Sequence, residues 1–360
     1  MKRTLISVAV ISSVIGAATA QAGGWDRSGQ DTSIILKDGN LLEITSITVA
    51  PKITGTYLGT NAATGDVAPD YSFTNIAFRT QINDNFSIAV IQDEPFGAGV
   101  DWSTGTGAYS TVNAKITSDA TTLLVGYDLD NITVYGGLKN QTFSAKAYVP
   151  IAGVGYMDIT STPDTSLGYV VGAAIEKPEI ALRVALTYHT KITHDVAIVE
   201  TLNGGIATPS TLTADTPSSF NLDFQTGVAE NTLLFGTIRS VQWTQTILKP
   251  ALHFQNNSNV PLKKFTSDTV SYTLGLGRKF SDQWSAAVTY GSEAAEGTAG
   301  SPLGPTDGYS KVGVGVTYSG EQADITLGVQ QINNGDTDAP AASMSGNTTL
   351  VTAVKIAYKF

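Results

Sequence analysis

The chain contains no cysteine. A disulfide framework is therefore excluded, and stability has to come from hydrogen bonding and burial alone. After the apolar run from Leu5 to Ala18, no stretch approaches the roughly 20 consecutive apolar residues that a membrane-spanning helix needs. Charge is scarce, at 14% of residues, and the balance is acidic, with a net charge of −10 over 360 residues. An acidic chain without a basic stripe is a poor nucleic-acid binder. Histidine is limited to His189, His194 and His253. No two of them stand two apart on a strand face, as a metal pair would, and none sits in a motif that couples a nucleophile to a base. Gly275-Leu276-Gly277 and Gly313-Val314-Gly315 have GxG spacing, but they lie within alternating stretches and not ahead of helices, so they read as small lumen-facing residues and not as phosphate loops. No enzymatic activity, metal or cofactor is expected.

At the N-terminus, Lys2 and Arg3 precede the run from Leu5 to Ala18, and Ala20-Gln21-Ala22 has the small-x-small form of a signal-peptidase site. Residues 1–22 are expected to be a signal peptide, with the mature chain starting at Gly23.

What the chain does have is alternation. In its last stretch, Leu350, Thr352, Val354, Ile356, Tyr358 and Phe360 fall on one face of an extended strand, and Val351, Ala353, Lys355, Ala357 and Lys359 on the other. One face is greasy, and the other is small or charged. Stretches of this kind recur, beginning near Leu41, Tyr71, Asn85, Ser110, Ile132, Ser166, Ile180, Ser218, Thr232, Ser267, Gln283, Gly308, Gln322 and Thr348. Their connections alternate between short turns, such as Asn83-Asp84 and Ala229-Glu230, and long loops at 59–70, 94–109, 143–165, 195–217, 249–266, 292–307 and 333–346. A soluble sandwich has no reason for that rhythm. A transmembrane antiparallel β-barrel of about 14 strands does, with short periplasmic turns, long outer loops and aromatic girdles. Phe86, Tyr127, Phe280, Trp284, Tyr318 and Phe360 cluster at the turn side, and Tyr71, Tyr188, Phe220, Trp243, Tyr290 and Tyr309 towards the loops. The expected organisation is a short N-terminal plug over 23–40 and a barrel over 41–360, in a bacterial outer membrane, with both termini periplasmic. A terminal strand ending in Phe360 resembles the signal read by the barrel-assembly machinery of Gram-negative bacteria.

The same count points Arg183, His189 and Lys191 into the lumen, together with Asn221, Asp223, Gln225, Lys311 and Lys355. Inward charge suits any solvated wall. The loop run Tyr148-Val149-Pro150-Ile151-Ala152-Gly153-Val154-Gly155-Tyr156-Met157 is apolar, as is Val196 to Val199. Exposed apolar loops suit either hydrophobic cargo or packing of the loops on each other.

Several stretches resemble the outer-membrane long-chain fatty-acid transporter family, the FadL/TodX type: Phe86-Ser87-Ile88-Ala89-Val90 leading to Pro95-Phe96-Gly97, Ala185-Leu186-Thr187-Tyr188 followed by Lys191-Ile192, Pro217 to Trp243, Asp268 to Trp284, and Ser301-Pro302 with Pro305-Thr306-Asp307. The resemblance implies a 14-stranded barrel with an N-terminal hatch, apolar cargo such as fatty acids captured at the outer loops, and sideways release through the wall into the outer-membrane lipid. The candidate ligand residues are then Arg183, Lys191 and Lys311 for a carboxylate and Tyr148, Ile151, Val154, Tyr156 and Met157 for an apolar tail. Pro95, Phe96, Gly97 and Gly99 are candidates for a lateral opening, since proline cannot donate to a ladder and glycine often marks a bend. The competing reading of that stretch is that the third strand simply ends there. The hatch departs from the family pattern: it is short and carries no Asn-Pro-Ala. A passive porin for small polar solutes and a sealed adhesin are the alternatives, and the protein is expected to be a monomer.

Overall fold

The computed structural model describes residues 24–297 and 300–360. The expected signal peptide lies outside them. Fourteen strands form the barrel: β1 (Leu41–Lys52), β2 (Tyr71–Gln81), β3 (Phe86–Asp93), β4 (Asn113–Leu129), β5 (Ile132–Ile151), β6 (Asp164–Lys177), β7 (Leu182–His189), β8 (Ser219–Ala229), β9 (Thr232–Val241), β10 (Thr269–Lys279), β11 (Trp284–Glu293), β12 (Tyr309–Ser319), β13 (Ala323–Asn334) and β14 (Thr348–Lys359). Each starts within three residues of its sequence-expected position. Every strand pairs antiparallel with its neighbours in the chain, and β14 closes on β1 from Leu41↔Lys359 to Lys52↔Thr348. A closed ladder leaves no sheet edge.

Alternation fixes the two surfaces. Along β14, Leu350, Val354, Ile356 and Tyr358 are exposed while Val351, Ala353, Lys355 and Ala357 are buried inside. Leu123, Val125, Val134, Leu138, Val171, Leu274, Leu276, Val288, Val314 and Leu327 continue the exposed apolar band around the barrel. Water does not tolerate a continuous band of this kind, whereas hydrocarbon does. Aromatic pairs sit at its rims, Phe86 with Tyr127, Trp284 with Tyr318 and Tyr358 with Phe360 at the short-turn end, and Tyr188 with Phe220 at the other. The GxG glycines face inward; the ring of Phe235 fills the space that a side chain at Gly275 would take.

Two expected loops are largely strand. β5 runs on to Ile151, turns, and pairs with Gly155–Ser161, which pairs with Ile192–Leu202, which pairs with Ala207–Thr216. These strands rise above the barrel at the long-loop end and bury Val149, Ile151, Met157, Ile159, Val196, Ile198, Leu212 and Ala214 with Trp102, Trp243 and Phe265 in one apolar core. Inside it, the carboxylate of Glu200 accepts the backbone N–H groups of Leu252 (3.0 Å) and His253 (2.8 Å) at the start of a short helix, Ala251–Asn256.

Lys191 does not face the lumen. β7 ends at His189, so alternation stops there; Lys191 points out of the protein, exposed and paired with Asp215 at 3.0 Å.

Candidate ligand pocket and wall opening

Residues 24–40 thread the inside of the barrel and are tied to several walls. Arg239 on β9 grips Asp26 with two nitrogens (2.5 and 3.0 Å) and donates to Gln30 Oε1 (3.0 Å). Asn221 on β8 donates to Gly29 O (2.9 Å), Ser28 Oγ donates to Asp93 on β3 (2.5 Å), and Arg183 on β7 donates to Leu36 O (2.8 Å). Ile34, Ile35 and Leu36 pack against Ala89, Ile91, Leu124, Tyr135 and Val170 in a small apolar core beneath.

This segment divides the interior into two environments. Below and beside it lies a cavity of about 120 Å³ lined by Asp26, Asp31, Arg183, Asn221, Asp223, Arg239 and Lys311. Leu36, Tyr135, Phe224 and Phe235 line it as well, so charged and apolar groups share its walls. Above it, Trp25 floors a narrow apolar pocket of about 40 Å³ between Ala98, Val100, Ile116, Ala147, Ile159, Ile198, Leu212, Leu262 and Leu303. A cleft of about 520 Å³ at the long-loop end shares Trp25, Ala98, Leu262, Lys263 and Leu303 with that pocket, so the two adjoin across these residues.

Lys263 stands where the cleft meets the pocket. Its ammonium lies 4.6 Å over the Phe265 ring. Burial pushes it below the usual lysine range, against the pull of Glu296. Among the described residues no carboxylate lies within ion-pair distance of it. A desolvated cation on an aromatic face, beside an apolar slot, suits a molecule with an anionic head and a greasy tail.

The pairing of β2 with β3 covers only part of the wall. The β2–β3 ladder runs only from Gln81↔Ser87 to Ile76↔Gln92, and above it the two strands part. β3 does not simply end: it bends through Glu94-Pro95-Phe96, resumes as Gly97–Asp101, and stays paired with β4 with its register shifted by one residue. On the side facing β2, the bend is paired instead with the N-terminal segment, through Arg27 N to Pro95 O (3.0 Å), Ser28 N to Glu94 O (3.1 Å) and Gly97 N to Trp25 O (2.7 Å). The interruption ends above, where Asp101 N meets Val67 O at 2.9 Å.

The sequence-derived candidates do not form one site. Arg183 and Lys311 share the lower polar cavity; Arg183 is ion-paired with Glu176, and Lys311 lies 5.5 Å over the Tyr309 ring. Tyr148 and Tyr156 stack on each other at 5.5 Å on the outer face of the raised hairpin, and Val154 is exposed at its tip. Ile151 and Met157 are buried in the upper core, as is Phe96, 5.5 Å from Trp243. Lys263, Phe265, Trp25 and Arg27 were missed. A cation pair flanked by Leu262 and Phe265 in a long loop is the one signal that pointed to Lys263.

No family model matches the chain, and no curated protein matches it in sequence. Solved structures do match. A FadL homologue of Pseudomonas aeruginosa superposes with a TM-score of 0.77 at 15% identity, covering 100% of this chain and 99% of that one. The Pseudomonas putida toluene transporter TodX gives 0.67 at 11% identity, covering 97% of each chain, and the Ralstonia pickettii toluene transporter TbuX 0.65 at 11%, covering 99% of each. The fold is that of the FadL and TodX channels. At these identities the likeness speaks for the fold, including the closed 14-stranded barrel, over essentially the whole chain.

Proposed function

We propose that this protein is a bacterial outer-membrane channel that takes up long-chain fatty acids or closely related amphipathic acids. The observation that carries the reading is the apolar pocket with Lys263 at its mouth. The cleft at the long-loop end admits the molecule, the tail enters between Ile116, Ile198, Leu212 and Leu303, and the carboxylate meets Lys263. With the long loops outside, both termini face the periplasm. Residues 23–40 then act as a plug, and the charges that line the lower cavity, among them Asp26, Asp31, Arg183, Arg239 and Lys311, make the route downward costly for an alkyl chain. Lateral release between β2 and β3, past Pro95, Phe96, Gly97 and Gly99, avoids that barrier and delivers the cargo to the outer-membrane lipid. Arg183 and Lys311 remain candidates for a second carboxylate contact in the lower cavity, reached only if the plug moves.

A passive porin fits poorly with a lumen crossed by a segment tied to several walls. A channel for neutral aromatics is the stronger alternative, since two neighbours are described as toluene transporters; the desolvated ammonium of Lys263 favours an anion. Trp25 lines the pocket, so quenching of its fluorescence reports occupancy. Purified protein should bind palmitate more tightly than hexadecanol, and both more tightly than toluene. Toluene binding as tight as palmitate binding would overturn the assignment.

A further inference from the structure

Between the parted strands lies a guanidinium whose donors are not all used. Arg27 is buried, and its Nη1 donates to Glu94 on the bend of β3 at 2.7 Å. Its Cζ lies 4.2 Å from the centroid of the Tyr71 ring on β2. One side chain thus joins the two strands above the point where their ladder stops at Ile76↔Gln92. Its Nε is buried and has no acceptor among the described residues. A carboxylate with two oxygens uses a guanidinium better than the single Glu94 oxygen does, because the fork of N–H groups matches it in a bidentate pair. Position 97 has to be glycine-sized for this arrangement: a Cβ there would run into the Arg27 side chain, and no positive φ is involved.

We infer that Arg27 is a second anion-binding site, a bolt across the wall opening that a cargo carboxylate withdraws by taking the place of Glu94. The inference rests on the amphipathic-acid reading above. Cargo leaving the apolar pocket passes Ala98 and Gly99, which line it, and next reaches Gly97, against which Arg27 lies. Exchange of Glu94 for the cargo head frees β3 from its tie to Tyr71, so arrival of the correct cargo and opening of the wall become one event. A neutral molecule makes no such exchange.

The absence of cysteine makes the test clean. Asn75 lies on β2 just above the end of the ladder, and its side-chain oxygen has no partner, so an Asn75→Cys substitution costs little. In liposomes, labelling of that cysteine by a lipid-soluble maleimide reads the opening without any cargo. Arg27→Gln should speed labelling about tenfold, the scale of one charge-assisted hydrogen bond. Gly97→Ala, which leaves Arg27 in the chain but displaces it, should speed labelling too, while Tyr71→Phe, which keeps the ring, should not. Palmitate should accelerate labelling when Arg27 is present and add nothing in Arg27→Gln; hexadecanol should do neither. Equal labelling with and without Arg27 overturns the bolt, and equal acceleration by palmitate and hexadecanol overturns the exchange. Trp25 quenching in the same samples separates the two ideas. Palmitate bound without faster labelling sinks the exchange alone, whereas failure to bind palmitate sinks the amphipathic-acid reading and leaves the cargo-free Arg27→Gln arm to decide the bolt.

Discussion

Lys355 and Glu43 face each other at 2.9 Å on the seam where the last strand of the barrel meets the first. Lys37, from the N-terminal segment, takes the other oxygen of the same carboxylate at 2.6 Å. One glutamate therefore pins the barrel closure and the lumenal segment together. Removing one partner of a buried pair leaves an uncompensated charge and typically costs about 3–5 kcal/mol. Glu43→Gln should lower the denaturant midpoint of the barrel accordingly, and Glu43→Gln with Lys355→Met should regain part of the loss. An unchanged midpoint in the single variant would show that the pair contributes nothing to closure.

The barrel itself should survive sodium dodecyl sulfate at room temperature and shift on a gel only after boiling, because a closed ladder offers no edge at which unravelling can start. Its circular-dichroism spectrum should be that of a β protein. A spectrum dominated by helix would dispose of the fold.

The barrel was legible because lipid outside and polar lumen inside impose the same two-residue period on every strand. Leu350, Val354 and Ile356 outside with Lys355 inside carry that signal within one stretch. It fails wherever a strand leaves the membrane. Val149, Met157, Ile198 and Leu212 also alternate, but their hairpins pack on other loops, so the sequence alone left open whether that apolar surface was cargo site or core. Lys191 was misplaced because alternation was carried past His189, where β7 ends. Arg27 carries no local signal and Lys263 only that of its neighbours Leu262 and Phe265: one acts across 67 residues on Glu94, and the other owes its character to a ring and a pocket assembled from distant loops.

Two histidines should make the raised loop region sensitive to acid. His194 donates to Asp164 at 3.1 Å, and His253 follows the Glu200 cap; burial pushes both below the usual histidine value of 6.5, against the opposing pull of Asp164 and Glu200. Above pH 6.5 both are neutral in the closed and the opened loops, and their contribution to closure is fully present. As the pH falls below 6.5 the opened form takes up protons first, so closure weakens until the lower folded values are passed. Hydrogen exchange of the amides in Ile192–Leu202 and Ala251–Asn256 should therefore be faster, relative to intrinsic rates, at pH 5 than at pH 7.5. Unchanged protection would mean that the histidines titrate alike in both states.

The sharpest discrimination concerns Lys263. Its stem lines the apolar pocket and its head lies over Phe265, so the side chain offers an alkyl chain and a charge to the same ligand. Lys263→Met keeps the stem and removes the charge. The variant should bind palmitate about 1 to 3 kcal/mol more weakly, the range for a hydrogen bond to a charged group in a poorly solvated site, and bind hexadecanol nearly as the parent does. Arg183→Ala serves as the comparison: its guanidinium is engaged by Glu176 and Leu36 O, so a loss that falls equally on both ligands reports loosening of the lumenal segment, and a loss confined to palmitate reports the second carboxylate contact. Measured side by side through Trp25 quenching, the two variants separate recognition of the head group from support of the plug. Parallel losses of palmitate and hexadecanol in Lys263→Met would show that the lysine packs the pocket without reading the cargo, and the neutral-aromatic alternative would then be preferred.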